Sequence, residues 1–236
     1  MKEENIVRTG LKLAMATGAE AAEVYFMKRD NLTIEVRSGK LETMQQSCDQ
    51  GLGLRVVKAG SIGYAFTSDL SPTALKDTAE AAVESAQYSS LDSSAQLPPA
   101  MRFDSSLVQF DPHLAKTPLE AKIDLALAIE RSALSYDKRI TKSERAAYEE
   151  NDYTVLVANS NGVQVDYRNN FCGGYVWVVA EADGDTQTGS SLLYATELAK
   201  IDPVIIGQEA AQEAVRLLGA KPIPTQKLAL VLPPQV

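Results

Sequence analysis

The chain has 236 residues, 45% apolar and 23% charged, with a net charge of −8, one histidine and two cysteines. That length holds one large or two small domains, and the acidic balance without a basic run argues against direct nucleic-acid binding. No apolar run approaches a membrane span, and Cys48 and Cys172 lie too far apart for a CxxC motif, so reduced thiols in a cytoplasmic protein are expected.

Residues Glu3 to Thr17 predict a helix with Val7, Leu11 and Ala14 on one face, ended by Gly18. Glu23 to Lys28 predicts a short strand, and Arg29-Asp30-Asn31 a turn. Leu32, Ile34 and Val36 then alternate with polar residues, as do Leu52, Leu54, Val56 and Ile62, Tyr64, Phe66. Ser38-Gly39 and Ala59-Gly60 are two-residue hairpin breaks, so an antiparallel meander is expected. Ser71-Pro72 starts a helix with Leu75, Ala79, Ala82, Val83 and Ala86 on one stripe, an Ala-rich face suited to close packing on a sheet.

Tyr88 to Thr117 is irregular and predicts a linker or a long crossing loop between the two units. Thr117-Pro118 starts the next helix, Leu119 to Tyr136, with Ile123, Leu127 and Leu134 on one side. Ile140 to Glu150 and Asp152 to Ala158 predict paired strands broken near Asn151. Asn159-Ser-Asn-Gly162 is a sharp turn, followed by strands Val163 to Asn169 and Gly174 to Glu181 and a turn at Asp183-Gly184. Ser190 to Ala199 stays open. Asp202-Pro203 starts a last helix striped by Ile206, Ala210, Ala214 and Leu217, and Gly219 caps it. Leu228 to Leu232 predicts an apolar strand, and a chain stopping soon after it suggests a further domain.

Gly162 follows Gly39 at the interval of 123 residues that also separates Gly174 from Gly51. The fold class is therefore α+β, with two degenerate α–β-meander–α units of mostly antiparallel sheet and flanking helices. The expected division is 1–100 for the first unit, 101–118 for a linker, 119–220 for the second unit and 221–236 for the start of a C-terminal domain.

Catalytic groups are sparse. His113 lies in the linker without a local nucleophile or orienting carboxylate. One histidine and two distant cysteines make a zinc site improbable within the chain, and HExxH is absent. Asp183-Gly-Asp185 opens like a calcium loop but lacks the other ligands, so it reads as a turn. Glu149, Glu150 and Asp152 form an acidic cluster that reads as a solvated face rather than an acid/base pair. A small-molecule enzyme using that cluster with Tyr148 or Tyr153 lacks an identifiable base pair. Gly51-Leu-Gly53 and Gly173-Gly174 sit inside strand patterns, which argues against a phosphate loop. No catalytic, cofactor-binding or metal-binding residue is assigned. Meander sheets do leave edges that take up extended peptides by main-chain pairing, so a binding module is the alternative reading.

Ala22-Glu-Val-Tyr, Ser38-Gly-Lys-Leu-Glu, Gly51-Leu-Gly-Leu-Arg-Val, Gly63-Tyr-Ala-Phe-Thr-Ser-Asp-Leu and Thr141-Lys-Ser-Glu resemble the TldD/PmbA family. So do Asn159-Ser-Asn-Gly and Leu218-Gly-Ala-Lys-Pro-Ile-Pro-Thr, and the match runs from about Ala22 to the end, nearer the PmbA (TldE) branch. The resemblance implies a cytosolic metalloprotease component that trims peptides and pairs with a TldD/PmbA-type subunit. It also carries the label modulator of DNA gyrase, which nothing physical in the sequence supports. The family's zinc motif, HExxxH in the TldD branch, would lie beyond the position of Val236, and the PmbA branch lacks it. The resemblance therefore places zinc elsewhere in the assembly and carries no ligand onto this chain. Gln226 stands where the family's pattern expects Gly.

Overall fold

Six antiparallel strands form one sheet, and the four α-helices all pack on the same face of it. The computed structural model describes residues 2–101, 103–104 and 109–232. Helix α1 (Glu3–Ala16) precedes strands β1 (Ala21–Arg37), β2 (Lys40–Lys58) and β3 (Ser61–Thr67), and helix α2 (Pro72–Gln87) follows. Helix α3 (Leu119–Leu134) precedes strands β4 (Ile140–Asn159), β5 (Gln164–Ala182) and β6 (Asp185–Ala195), and helix α4 (Pro203–Leu217) follows. The strand order is β3-β2-β1-β4-β5-β6, so the α+β class and the two α–β-meander–α units hold. Among the described residues no helix is long and apolar enough to cross a membrane.

Local chemistry sets the joints. The hairpins turn at Ser38-Gly39, Ala59-Gly60 and Asp183-Gly184, where both residues of each pair have positive φ. That conformation matches the right-handed twist of the strands. The Ser71 side chain accepts from the Ala74 N–H at 3.3 Å, and Asp202 accepts from the Val204 N–H at 2.8 Å. Both precede Pro at the first helical position, as expected. Helix α3 differs: Pro118 itself is the N-cap and no side chain caps it. Its fully buried stripe is Ala126, Ile129 and Ala133 with Lys122 and Glu130, while Ile123, Leu127 and Leu134 flank the core.

Four local expectations are corrected. Strand β5 runs unbroken from Gln164 to Ala182, through the break expected between Asn169 and Gly174. Strand β1 runs straight through Arg29-Asp30-Asn31, and β4 runs straight through Asn151. These two segments are each other's partners, with Asp30 opposite Asp152 and Asn31 opposite Asn151. A ladder bonded on both sides outweighs the turn preference of Asn and Asp. Residues 228–232 form no strand and are exposed. The expected linker, 101–118, falls partly on residues outside the described set. Its described part includes a short 3-10 turn, Leu114–Lys116, with Leu114 buried.

Two cores lie on the helix-covered face, one under α1 and α2 and one under α3 and α4. They are not independent. Ile34 and Val36 of β1 belong to the α3/α4 core, and Leu156 of β4 belongs to the α1/α2 core. Helices and strands approach closely at two glycines: a Cβ on Gly63 would lie 2.0 Å from the Ala82 carbonyl oxygen, and one on Gly189 would lie 2.2 Å from that of Ala210. Glu130 ties the halves together. This carboxylate is 1% exposed and accepts from the Ser38 N–H at 2.9 Å, the Gly39 N–H at 2.8 Å and the Ser143 hydroxyl.

Candidate functional site

Strand alternation sends every second side chain to the face that no helix covers among the described residues. Tyr64 and Phe66 of β3, Tyr25 of β1, Tyr153 of β4, Tyr167, Phe171, Tyr175 and Trp177 of β5 and Tyr194 of β6 share that face, as the register dictates. Several touch in sequence. Phe103 stacks on Tyr167 at 5.9 Å, Tyr167 meets Tyr153 at 6.4 Å, Tyr153 meets Phe171 at 6.5 Å and Phe171 meets Tyr194 at 5.9 Å. Tyr25, Tyr64, Phe66, Phe103, Trp177 and Tyr194 are exposed and the other rings half-buried, and large rings that reach solvent together on one face mark an interaction surface more than a solvated one.

Within the stripe lies a depression of about 410 Å³ lined by Arg29, Asn31, Glu149, Asn151, Phe171 and Tyr194. Gly173 makes room for it, because a Cβ there would lie 2.3 Å from the Tyr194 ring. The Tyr194 hydroxyl donates to Glu149 Oε2 at 2.8 Å. Burial, then that bond, raises the phenol above its ordinary value, so it stays a donor. Arg145 pairs with Glu35 and lies 5.3 Å over the Tyr175 ring. Asn151 is 7% exposed, yet its side chain makes no hydrogen bond among the described residues. Its amide atoms are not among the buried side-chain atoms that lack a partner, which among the described residues are Arg55 Nε and Arg145 Nε, so the amide meets solvent in the depression.

The acidic cluster read from the sequence does not converge. Glu149 faces the aromatic side, whereas Glu150 and Asp152 face the other. Glu150 Oε2 accepts from Lys122 Nζ at 2.6 Å and from the Tyr148 hydroxyl at 2.7 Å. Lys122, Tyr148 and the neighbouring Cys172 are buried. Burial pushes the Cys172 thiol up to about 11, and burial with the Glu150 bond raises Tyr148 well above the ordinary phenol. Lys122 and Tyr148 both bond Glu150 beneath the helices, which makes the three groups a structural network. Asp152 is held by Arg168 at 2.8 and 2.5 Å, and Arg168 lies 4.6 Å over Phe110. Tyr153 belongs to the aromatic stripe, away from Tyr148.

His113 is exposed at the start of the 3-10 turn, and its backbone N–H donates to Asp111 Oδ1 at 2.8 Å. Asp183 and Gly184 form the β5–β6 turn, and Asp185 Oδ2 accepts from the Gly219 N–H at 2.7 Å, a local tie rather than a calcium loop. Cys48 is exposed on β2 and Cys172 is buried, each a free thiol. Among the described residues no group of three or more His, Cys, Asp or Glu could hold a metal ion.

Arg29, Asn31, Asn151, Phe171 and Tyr194 were not singled out from the sequence. The signal was present in the period-two alternation, but it needs the β1–β4 register to bring Asn31 beside Asn151.

Comparison with known proteins gives a consistent result. Residues 22–86 match the model of PmbA/TldA metallopeptidase domain 1, and residues 112–218 match that of the PmbA/TldA metallopeptidase central domain. The metalloprotease PmbA of Escherichia coli O157:H7 is 28% identical over 99% of the chain and 52% of its own length. A crystal structure from Bacteroides thetaiotaomicron, described as a candidate modulator of DNA gyrase, superposes with a TM-score of 0.84 at 21% identity, over 94% of this chain and 51% of that one. TldE from Thermococcus kodakarensis superposes with a TM-score of 0.73 at 17% identity, over 90% of this chain and 47% of that one. The chain thus spans about half the length of the curated relatives it matches.

Proposed function

Because the chain belongs to the PmbA/TldD metallopeptidase family, we propose that it is the peptide-holding, non-catalytic portion of a peptide-processing assembly. The observation that carries this reading is the helix-free aromatic face, which offers a wide, sequence-tolerant surface to an unfolded chain. Peptide hydrolysis in such an assembly would be metal-assisted, the metal polarising the scissile carbonyl and activating water. The described residues here do not fit a zinc site, so no step of that chemistry falls to them. The chain would work beside a TldD/PmbA-type subunit in the cytoplasm. The PmbA branch is favoured, since the PmbA relatives are 26–28% identical and a TldD homolog 24%.

Trp177 is the only tryptophan, is 51% exposed and lies on the aromatic face, so it reports occupancy there. Titration with a tryptophan-free unfolded peptide should shift its emission, and no cleavage should occur with added zinc. Stoichiometric zinc uptake together with peptide cleavage by this chain alone would overturn the proposal. So would the absence of any peptide binding.

A second reading rests on the sheet edge. Strand β3 pairs only with Leu52–Lys58 of β2, which leaves Lys40–Gly51 without an outer neighbour among the described residues. An extended segment could add there by main-chain bonding. Proline scanning of a bound peptide separates the two readings, because edge pairing needs alternate peptide N–H groups and the aromatic face does not.

A further inference from the structure

The depression between β1, β4, β5 and β6 combines three features that one chemical group satisfies together. Arg29 lines it and forms no ion pair among the described residues. Asn31 and Asn151 stand opposite each other in the ladder, both with side-chain amides free of hydrogen bonds among the described residues, and the Asn151 amide, on a residue that is otherwise mostly buried, stays open to the depression. Phe171 and Tyr194 form an apolar wall, their rings 5.9 Å apart and nearly perpendicular.

A side-chain amide offers one acceptor and one donor group, the same complement as a peptide bond. Two such amides therefore suit a backbone in extended form. A guanidinium beside them suits a carboxylate, which it can hold with two parallel bonds. The wall takes one apolar side chain. Only the last residue of a polypeptide carries a peptide N–H, a side chain and a carboxylate within one residue's reach. Glu149 lines the same depression and opposes a dianion such as phosphate. Its Oε2 is engaged by Tyr194, and Oε1 is left for a peptide N–H.

We propose that this depression is a subsite for the C-terminal residue of an extended peptide. Arg29 holds the carboxylate, Asn31 and Asn151 hold the adjoining amide, and Phe171 with Tyr194 packs on an apolar or aromatic side chain. The assignment rests on the peptide-holding reading above and names its substrate end.

The test is fluorescence anisotropy with an N-terminally labelled heptapeptide ending in Phe, made as the free acid and as the C-terminal amide. The acid should bind about tenfold more tightly than the amide, the scale of one charge-assisted contact. Arg29→Gln should bring the two affinities together, and Arg29→Lys should restore only part of the gap. Asn151→Ala should weaken both forms alike. Arg29 is exposed, so its variants keep the fold, which a thermal melt checks. Equal binding of acid and amide by the unaltered chain would overturn the subsite while leaving peptide holding intact. Binding of neither form would overturn both. A dimer that dissociates in Phe171→Ala, with no peptide binding, would assign the face to a second copy and also overturn the proposal.

Discussion

Gly63 and Gly189 should be the positions least tolerant of a single added methyl group. In each, a strand passes directly beneath a helix backbone. An alanine Cβ at 63 would lie 2.0 Å from the Ala82 carbonyl oxygen and 2.6 Å from the Ala86 nitrogen. At 189 the corresponding distances to Ala210 oxygen and Ala214 nitrogen are 2.2 and 2.4 Å. Carbon needs about 3.3–3.6 Å from oxygen even in a favourable C–H contact. The helix must therefore back away by more than 1 Å, loosening the Leu75, Ala79 and Ala82 face of α2 or the Ile206, Ala210 and Ala214 face of α4. Overpacking of this kind costs about 1–3 kcal/mol. Against it stands about 0.5–1 kcal/mol of backbone entropy gained by losing a glycine. The expected net loss is about 1 kcal/mol for either substitution, or about 2–4 °C in Tm for a chain of this size. Gly10 is the control with opposite sign. It is buried in α1, and its Cβ would meet Leu52 at 3.4 Å and Val24 at 3.6 Å, which is ordinary contact. Gly10→Ala should stabilise by about 0.5–1 kcal/mol, since only helix propensity changes. Urea unfolding of the three variants measures all of this. A neutral or stabilising Gly63→Ala and Gly189→Ala, or a destabilising Gly10→Ala, would refute the packing argument.

Stability should fall at alkaline pH because of the buried Tyr148 and Cys172. Cys172 is raised from its ordinary 9.0 to about 11, so its contribution is intact below pH 9 and lost as pH climbs through 11. Tyr148 is also raised, so its share begins to go above about pH 10. Urea midpoints from pH 8 to 11 should decline by the equivalent of about 2 kcal/mol from Cys172 alone, and Cys172→Ala should flatten the first part of that decline. A flat profile in the unaltered chain would exclude the assignment. Glu130→Ala should cost about 2–4 kcal/mol, from lost charge-assisted bonds and the cavity left behind. Because the carboxylate grips the Ser38 and Gly39 N–H groups, hydrogen exchange at those two amides should accelerate, and unchanged exchange there would show that the grip is not what holds the hairpin.

What the sequence made legible was local. Ser38-Gly39 and Asp183-Gly184 specify their turns because few residue pairs accept positive φ twice, and Ser71-Pro72 and Asp202-Pro203 specify helix starts because the cap and the fixed φ act within four residues. What stayed hidden was pairing. Arg29-Asp30-Asn31 has turn composition, and only the neighbouring β4 turns it into the middle of a strand. Glu149, Glu150 and Asp152 look like one cluster along the chain, but alternation separates them onto opposite faces of the sheet. Lys122 on α3 then claims Glu150 for a buried ion pair that no spacing rule announces.

The same pairing explains why the depression exists where it does. The repeat interval of 123 residues maps Arg29 onto Asp152 and Asp30 onto Tyr153. In the ladder Arg29 faces Tyr153 and Asp30 faces Asp152. Each mapped residue thus lies one position from the cross-strand partner, and equivalent parts of the two units meet only at this point. Near this seam, Arg29 and Asn31 come from the first unit, and Glu149, Asn151, Phe171 and Tyr194 from the second. Each unit supplies part of the lining, and neither supplies all of it. A duplicated fold that pairs its first strands back to back therefore creates, at the seam, a composite surface that a single unit could not present. The unpartnered Asn31 and Asn151 amides sit at that seam.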